Sequence, residues 1–201
     1  MSRPRGTEGY SEEAEALVRQ YESISFADLH REVLHLVPAD SSRILDIGSG
    51  TGRDAAALAA LGHHVIAVEP TAELRLRAQT LHPSPRIQWM DDSLPDLVSV
   101  AHGTRGFDVV MLTAFWMHLD ERQRARAMSR VADLVCRGGV MILSLRYGPV
   151  PPGRRMFTVS AEETIGLASA EGLDLVLRVD HQDGLLRRPG VTWTRLAFHR
   201  S

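Results

Sequence analysis

Residues 44–54 read ILDIGSGTGRD, an apolar strand that breaks into three glycines and then opens a helix. Two classes of adenosine-containing ligand use such a turn. In the dinucleotide fingerprint the glycines are spaced G-x-G-x-x-G, and the third lets the helix pack closely on the strand. Here Gly48, Gly50 and Gly52 are spaced G-x-G-x-G, and Arg53 stands where the third glycine of a nicotinamide dehydrogenase would fall. A long charged side chain at that crossing opposes the tight pyrophosphate turn. Asp46 adds a second objection. A carboxylate near the end of an apolar strand is costly unless it has a partner. A pyrophosphate would be repelled by it, whereas a cationic, donor-rich ligand at the strand's carboxyl end would be held.

On either side of this stretch, strands and helices alternate. Residues 43–47, 64–70, 86–92, 107–113 and 139–145 read as strands, and 53–61, 71–81 and 120–136 as helices. Gly62 stops the first of these helices, and Gly138-Gly139 is expected to stop the third. Near-continuous apolar strands alternating with helices predict a parallel sheet covered on both faces. Upstream, a helical period begins at Ser11, read as an N-cap, with Ala14, Leu17, Val18 and Tyr21 on one face. A second helical run covers 26–37. The tail carries a Pro/Gly/Arg-rich loop (147–156), a helix (159–173) and strands at 173–179 and 193–200. These two strands can form an antiparallel hairpin at one sheet edge. The expectation is one α/β domain over residues 1–201, divided into a helical extension (1–40), a ligand-binding core (41–148) and a C-terminal helix with edge hairpin (149–201).

Bulk numbers narrow the function classes. The chain has 201 residues, 44% of them hydrophobic and 24% charged, which is ordinary for a globular protein. A net charge of -2 and a sequence pI near 6.5 give no bulk attraction to nucleic acid or anionic membrane. Cys136 is the only cysteine, so no disulfide or cysteine metal cluster is expected, and it is read as a small packed thiol in an apolar helical pattern. The first residues lack an apolar signal region and no apolar run is long enough to span a bilayer, so a cytoplasmic location is expected. Among the histidines, His63 and His64 are read as a helix–strand turn rather than a metal site.

S-adenosylmethionine answers the requirement set by the turn, because it carries an ammonium and a sulfonium beside its adenosine. Glu69 ends the second strand about twenty residues beyond the turn, where an acid can bind ribose hydroxyls. Asp91 and Asp92 end the third, where one of them can accept from an adenine amino group. All three strand ends open onto the carboxyl edge of the sheet, the usual ligand crevice of an open α/β fold.

From Ile44 to Leu145 the chain resembles the class I S-adenosylmethionine-dependent methyltransferases, through ILDIGSGTGRD, AVEP, MDDSLP, FDVVMLTAFWMHL and LVCRGGVMILSL in that order. GRDAAALAALGHHVIAVEP, FWMHL and SLRYGP are similar to a bacterial subgroup of small methyltransferases that act on varied or unassigned acceptors. The resemblance implies a Rossmann-like, seven-stranded, mostly parallel sheet with an antiparallel last strand, helices on both faces and an N-terminal helical lid. It implies cofactor contacts from Gly48, Ser49, Gly50, Thr51, Gly52 and Arg53, with Asp46 near the methionyl group. Glu69 and Pro70 would hold the ribose, Asp91, Asp92 and Ser93 the adenine side, and Thr113 and Ala114 the methionyl side. Thr113 departs from the Asn, Asp or Ser of many relatives, which removes the amino-methylating Asn/Asp-Pro-Pro-Tyr signature.

The acceptor side is expected around Trp116, His118 and Arg146. An indole can stack on a planar acceptor or a sulfonium, and His118 can take a proton at neutral pH. Against this, Trp116 can cap the core and His118 can bond at the start of the next helix, near Asp120. Arg146, with Tyr147, Arg154 and Arg155, can overhang the acceptor as a lid and bind an acidic group. Tyr10, Tyr21 and Phe26 can fold over the cofactor or pack on the sheet, and His181 with Asp180 and Asp183 can reach the rim. The reaction expected is methyl transfer to an oxygen or nitrogen of a small molecule, leaving S-adenosylhomocysteine, with no metal, in a monomer or homodimer. The rival readings are methylation of RNA or protein, a nicotinamide oxidoreductase, and a non-catalytic S-adenosylmethionine binder.

Overall fold

The computed structural model describes residues 6–101 and 106–201, without the side chains of residue 101 and of residues 181–183. Seven strands, β1 (Arg43–Ile47), β2 (His64–Val68), β3 (Ile87–Met90), β4 (Phe107–Leu112), β5 (Val135–Tyr147), β6 (Leu173–Asp183) and β7 (Thr192–Arg200), lie in the order β3-β2-β1-β4-β5-β7-β6. The first five are parallel. β7 inserts antiparallel between β5 and β6, so the tail hairpin closes one edge as the sequence predicts. β1 pairs with β2 on one side and β4 on the other. The order therefore reverses at β1, and the carboxyl ends of β1 and β4 part to leave a crevice.

Alternation along each strand feeds two cores. Leu45, Ile47, Val110, Leu112, Leu143 and Leu145 face one side, closed by α6 (Glu121–Leu134) and α7 (Ala161–Ala170). Ile44, Val65, Ala67, Val109, Met111 and Ile142 face the other, closed by α2 (Phe26–His30) and α3 (Arg53–Ala60). Asp46 belongs to this second face. The remaining helices are α1 (Ala14–Tyr21), α4 (Ala72–Leu81) and the single turn α5 (Val98–Ala101).

Three local expectations are corrected. α1 starts at Ala14 with Glu13, not Ser11, at its N-cap and no side-chain cap bond; the Glu13 carboxylate pairs instead with Arg154 at 2.7 Å. The run 26–37 is broken into α2 and a 3-10 turn at Leu34–Leu36. Anchoring of His30 on Asp54 (2.7 Å) and full burial of Val33 outrank the local period. α6 ends at Leu134, because Val135 adopts an extended conformation and already pairs with Phe107 of β4. Gly138 (φ 79°) and Gly139 thus lie inside the irregular start of β5, where the register slips, rather than at a helix stop. Cys136 lies on that strand, half-buried, with its Sγ 3.6 Å from Asp108 Oδ1.

The start of α6 follows the local rule. Asp120 accepts from the Gln123 backbone N–H at 2.9 Å, and Gln123 Oε1 accepts from the Asp120 N–H at 3.0 Å, a capping box. Asp120→Ala is expected to lower stability by about 1 kcal/mol in chemical denaturation.

Candidate active site

The crevice at the carboxyl edge is a cavity of about 490 Å³. Strand register lines up Glu69, Gly48, Thr113, Ser144 and Arg195 along its floor, one from each of five adjacent strand ends or strands (β2, β1, β4, β5, β7). The roof comes from the N-terminal segment, with Gly6, Tyr10, Tyr21 and Ile24, and from the β6–β7 loop, with Leu186 and Arg188.

At the glycine turn the geometry is set by close approaches. Gly52 has φ 83°, and a Cβ there would stand 2.4 Å from the Trp89 ring of β3. Glycine is therefore required both by backbone and by packing. Arg53 does not fill the crossing. It folds back, with Nε donating to Asp54 at 2.8 Å and Nη1 donating to the Tyr21 carbonyl at 3.1 Å, so it ties α3 to α1. Thr51 Oγ1 donates to Glu22 at 2.5 Å and braces the same junction.

Two acids face the cavity from this end. Glu69 Oε2 accepts from the Gly50 N–H at 2.9 Å and Oε1 from the Thr71 N–H at 2.7 Å. The Thr71 hydroxyl bonds the same carboxylate, which leaves an acceptor position for a ligand hydroxyl. Burial pushes its carboxyl above the usual range. Asp46 is 1% exposed and its Oδ2 has no hydrogen-bond partner. Burial, reinforced by the Asp54 carboxylate, holds Asp46 well above the ordinary carboxylate pKa. Ser49 Oγ, also at the cavity, is likewise unpartnered. Orphaned acceptors around a glycine turn fit a ligand that brings an ammonium and hydroxyls, and do not fit a pyrophosphate.

At the other end stands His118, on a 3-10 turn (Trp116–His118) after β4. Its Nδ1 lies 2.8 Å from the Arg155 carbonyl, which can only accept, so Nδ1 carries the proton. Nε2 is then an acceptor, and it meets the Tyr10 hydroxyl at 3.0 Å. Burial depresses the His118 pKa and pushes the Tyr10 hydroxyl far up, so imidazole is neutral and phenol protonated around neutrality. Arg154 stacks on the Tyr10 ring at 4.1 Å and donates to Glu13, which pins the roof to the loop after β5.

Of the residues singled out in the sequence, Asp46, Gly48, Ser49, Gly50, Thr51, Arg53, Glu69, Pro70, Thr113, Ala114 and His118 line the cavity, with Gly52 at the turn behind them. Asp91, Asp92 and Ser93 do not. Asp91 points outward and pairs with Arg75 at 2.9 Å, while Asp92 accepts from the N–H groups of Ser93, Ser99 and Val100 and holds α5 in place. Trp116 is fully buried in the first core and does not reach the cavity. Arg146 is buried too, donating to the Pro149 carbonyl at 2.9 Å, and does not line the wall. Phe26 packs with His30 in the second core, whereas Tyr10 and Tyr21 form the roof. Arg155 pairs with Asp120 at 3.3 Å. His63 is buried, accepting the Ser42 N–H at Nδ1, and His64 is exposed. The His181 and Asp183 side chains lie outside the described residues. Ser144, Phe115, Arg188, Trp193 and Arg195 were not singled out. For Ser144 and Arg195 the signal was present: each interrupts an apolar strand as Asp46 does.

Both the fold and the sequence have known counterparts. Solved structures with this fold include a TehB-like S-adenosylmethionine-dependent methyltransferase from Corynebacterium glutamicum (TM-score 0.70, 19% identity, 94% of this chain and 99% of that one). Another is the 1,6-didemethyltoxoflavin-N1-methyltransferase of Burkholderia thailandensis (TM-score 0.70, 17% identity, 96% and 85%), solved with 1,6-didemethyltoxoflavin and S-adenosylhomocysteine bound. The profile of a methyltransferase domain family matches residues 44–139. Uncharacterized methyltransferases of Mycobacterium bovis and Mycobacterium tuberculosis are 32% identical over 130 residues, 61% of this chain and 64% of theirs. The match thus spans somewhat less than two thirds of these relatives. Residues 44–139 thus match the methyltransferase domain family, and the fold is shared with solved S-adenosylmethionine-dependent methyltransferases.

Proposed function

We propose that the protein transfers a methyl group from S-adenosylmethionine to an oxygen or nitrogen of a small molecule, releasing S-adenosylhomocysteine. The observation that carries the reading is Asp46, a buried, unpartnered carboxylate at the cavity end of β1. Asp46 would hold the cofactor's ammonium, Ser49 and the turn its polar tail, and Glu69 its ribose hydroxyls. When bound, the cofactor supplies an electrophilic methyl on a sulfonium. Thr113 and Ala114 border the path from this end of the cavity to His118.

The chain's own contribution is placement, exclusion of water and proton removal. The walled cavity orients an acceptor for in-line attack, which can supply most of the acceleration. His118 accepts the acceptor's proton at Nε2, either directly or as Tyr10 passes its own proton to Nε2 and takes the acceptor's. The Arg155 carbonyl fixes the tautomer that makes this possible. A cleft of this size, partly roofed by Tyr10 and Tyr21, favours a small acceptor over RNA or protein.

Calorimetric titration with S-adenosylhomocysteine, run beside NADH, tests the cofactor assignment. Micromolar or tighter binding of the former alone is expected, weakened in Glu69→Gln. Binding of NADH instead, or of neither by folded protein, would remove the assignment.

A further inference from the structure

The β7 end of the floor carries a guanidinium. Arg195, on β7 directly across from Ser144 of β5, lines the cavity and is 9% exposed. It forms an ion pair with Glu32 Oε2 at 3.6 Å, too long for a hydrogen bond, and its Nε has no hydrogen-bond partner. Leu196, Ala197 and Phe198 beside it are fully buried, so a guanidinium interrupts an apolar strand just where it meets the cavity. The carboxylates of Glu32 and Asp54 offset its charge, but the Nε donor is buried without a hydrogen bond, a cost that folding does not recover.

Arg188, at the cavity, and Arg146, behind its wall, carry two more guanidiniums. Arg188 donates to Gln20 at 2.6 Å and bonds Tyr21, and Arg146 donates to the Pro149 carbonyl with its Nε unpartnered. Among the described residues none of the three hydrogen-bonds to a carboxylate. The opposite end of the floor carries the acids Asp46 and Glu69. Tyr21, Phe115, Trp193, Leu186 and Val191 form the walls between, a mainly aromatic slot.

Building on the methyltransferase reading above, we infer that the acceptor is a flat aromatic acid whose carboxylate is held by Arg195, with its methylated atom toward Thr113 and His118. Thr113 and Arg195 are two strand spacings apart, roughly 10 Å. One aromatic ring with a substituent at each end bridges that gap once the arginine side chain reaches in. A guanidinium binds a planar carboxylate through two parallel bonds, which fixes the ring's plane as well as its position.

A carboxylate also ends the methionyl tail of the cofactor, and the test separates the two sources. Binding of S-adenosylhomocysteine and of 5′-methylthioadenosine, which lacks the amino-acid tail, is measured on wild type and Arg195→Met. Binding of 4-hydroxybenzoate and its uncharged amide is then measured with S-adenosylhomocysteine saturating. The expected result is that Arg195→Met keeps its affinity for S-adenosylhomocysteine but binds 4-hydroxybenzoate about tenfold more weakly or worse, with the amide unchanged. If Arg195→Met instead loses S-adenosylhomocysteine and keeps methylthioadenosine, Arg195 serves the cofactor and the inference is overturned. It is overturned as well if wild type carrying S-adenosylhomocysteine binds the acid no better than the amide. Wild type that binds no S-adenosylhomocysteine removes the methyltransferase reading itself, and this inference with it. Should Arg195→Met fail to fold, Arg195→Lys makes the same comparison, keeping the charge and losing the fork.

Discussion

Replacing His118 with alanine is expected to lower kcat by roughly 10²- to 10⁴-fold on the first acceptor that turns over, with S-adenosylhomocysteine affinity unchanged. The side chain is placed to take a proton, not to hold the cofactor. The pH dependence gives an independent check. Burial holds the imidazole below its ordinary pKa of about 6.5. The neutral, proton-accepting form therefore already dominates at neutrality. A plot of kcat against pH is expected to rise through a midpoint below the ordinary histidine value and then stay level. A midpoint above that value, or no acid limb in wild type, would mean that another group limits the reaction. Tyr10→Phe leaves the Nε2 lone pair open to the cavity and should cost less than the loss of His118. An equal loss would make the phenol an obligatory relay.

Asp46→Asn is expected to act in opposite directions on binding and on stability. Losing a charged partner for the cofactor's ammonium should weaken S-adenosylhomocysteine roughly 10- to 100-fold. In the ligand-free protein the same change should be stabilising. The unfolded chain releases the Asp46 proton near pH 4, whereas burial makes the folded chain hold it to higher pH. Across that window the folded state binds more protons, so the carboxylate subtracts stability as pH rises. Asparagine removes that penalty. The gain, about 0.5–2 kcal/mol at neutral pH by thermal melting, should vanish below about pH 4, where Asp46 is protonated in both states. A destabilised variant at pH 7 would show that Asp46 is structural instead.

The strand–helix alternation made the sheet legible, because buried parallel strands must be apolar along their length and are hard to mistake. The ends of elements were harder to read. α6 carries its apolar period past Leu134 in sequence, yet pairing of Val135 with Phe107 converts the next residues to strand. No local pattern encodes that competition. At the site, Asp46 and the glycine turn were legible as violations of a local rule: a charge in a strand, a helix opened by left-handed backbone. Arg195 violates the same rule in WTRLAFHR and escaped notice only because no glycine turn pointed to it. Trp116 misled because proximity to the site in sequence does not settle which face a side chain takes on a single 3-10 turn. It points into the first core, and His118, two residues on, faces the cavity. One of Asp91 and Asp92 is expected at the adenine, but Arg75 pairs with Asp91, and the N–H groups of Ser99 and Val100 claim Asp92 through a loop that local sequence does not resolve.

In the proposed proton path, Tyr10 and His118 come from different parts of the chain. The phenol arrives from the N-terminal segment, pinned by Arg154, while the imidazole is rooted in the turn after β4. Asp46 and Glu69, proposed to hold the cofactor, stand at the carboxyl ends of β1 and β2, outside that segment. Occupancy and turnover are thus severable: an N-terminal fusion or a proteolytic nick that lifts residues 6–13 would leave a protein that still retains its nucleoside yet idles. Assays that score retention alone would pass such a preparation as intact.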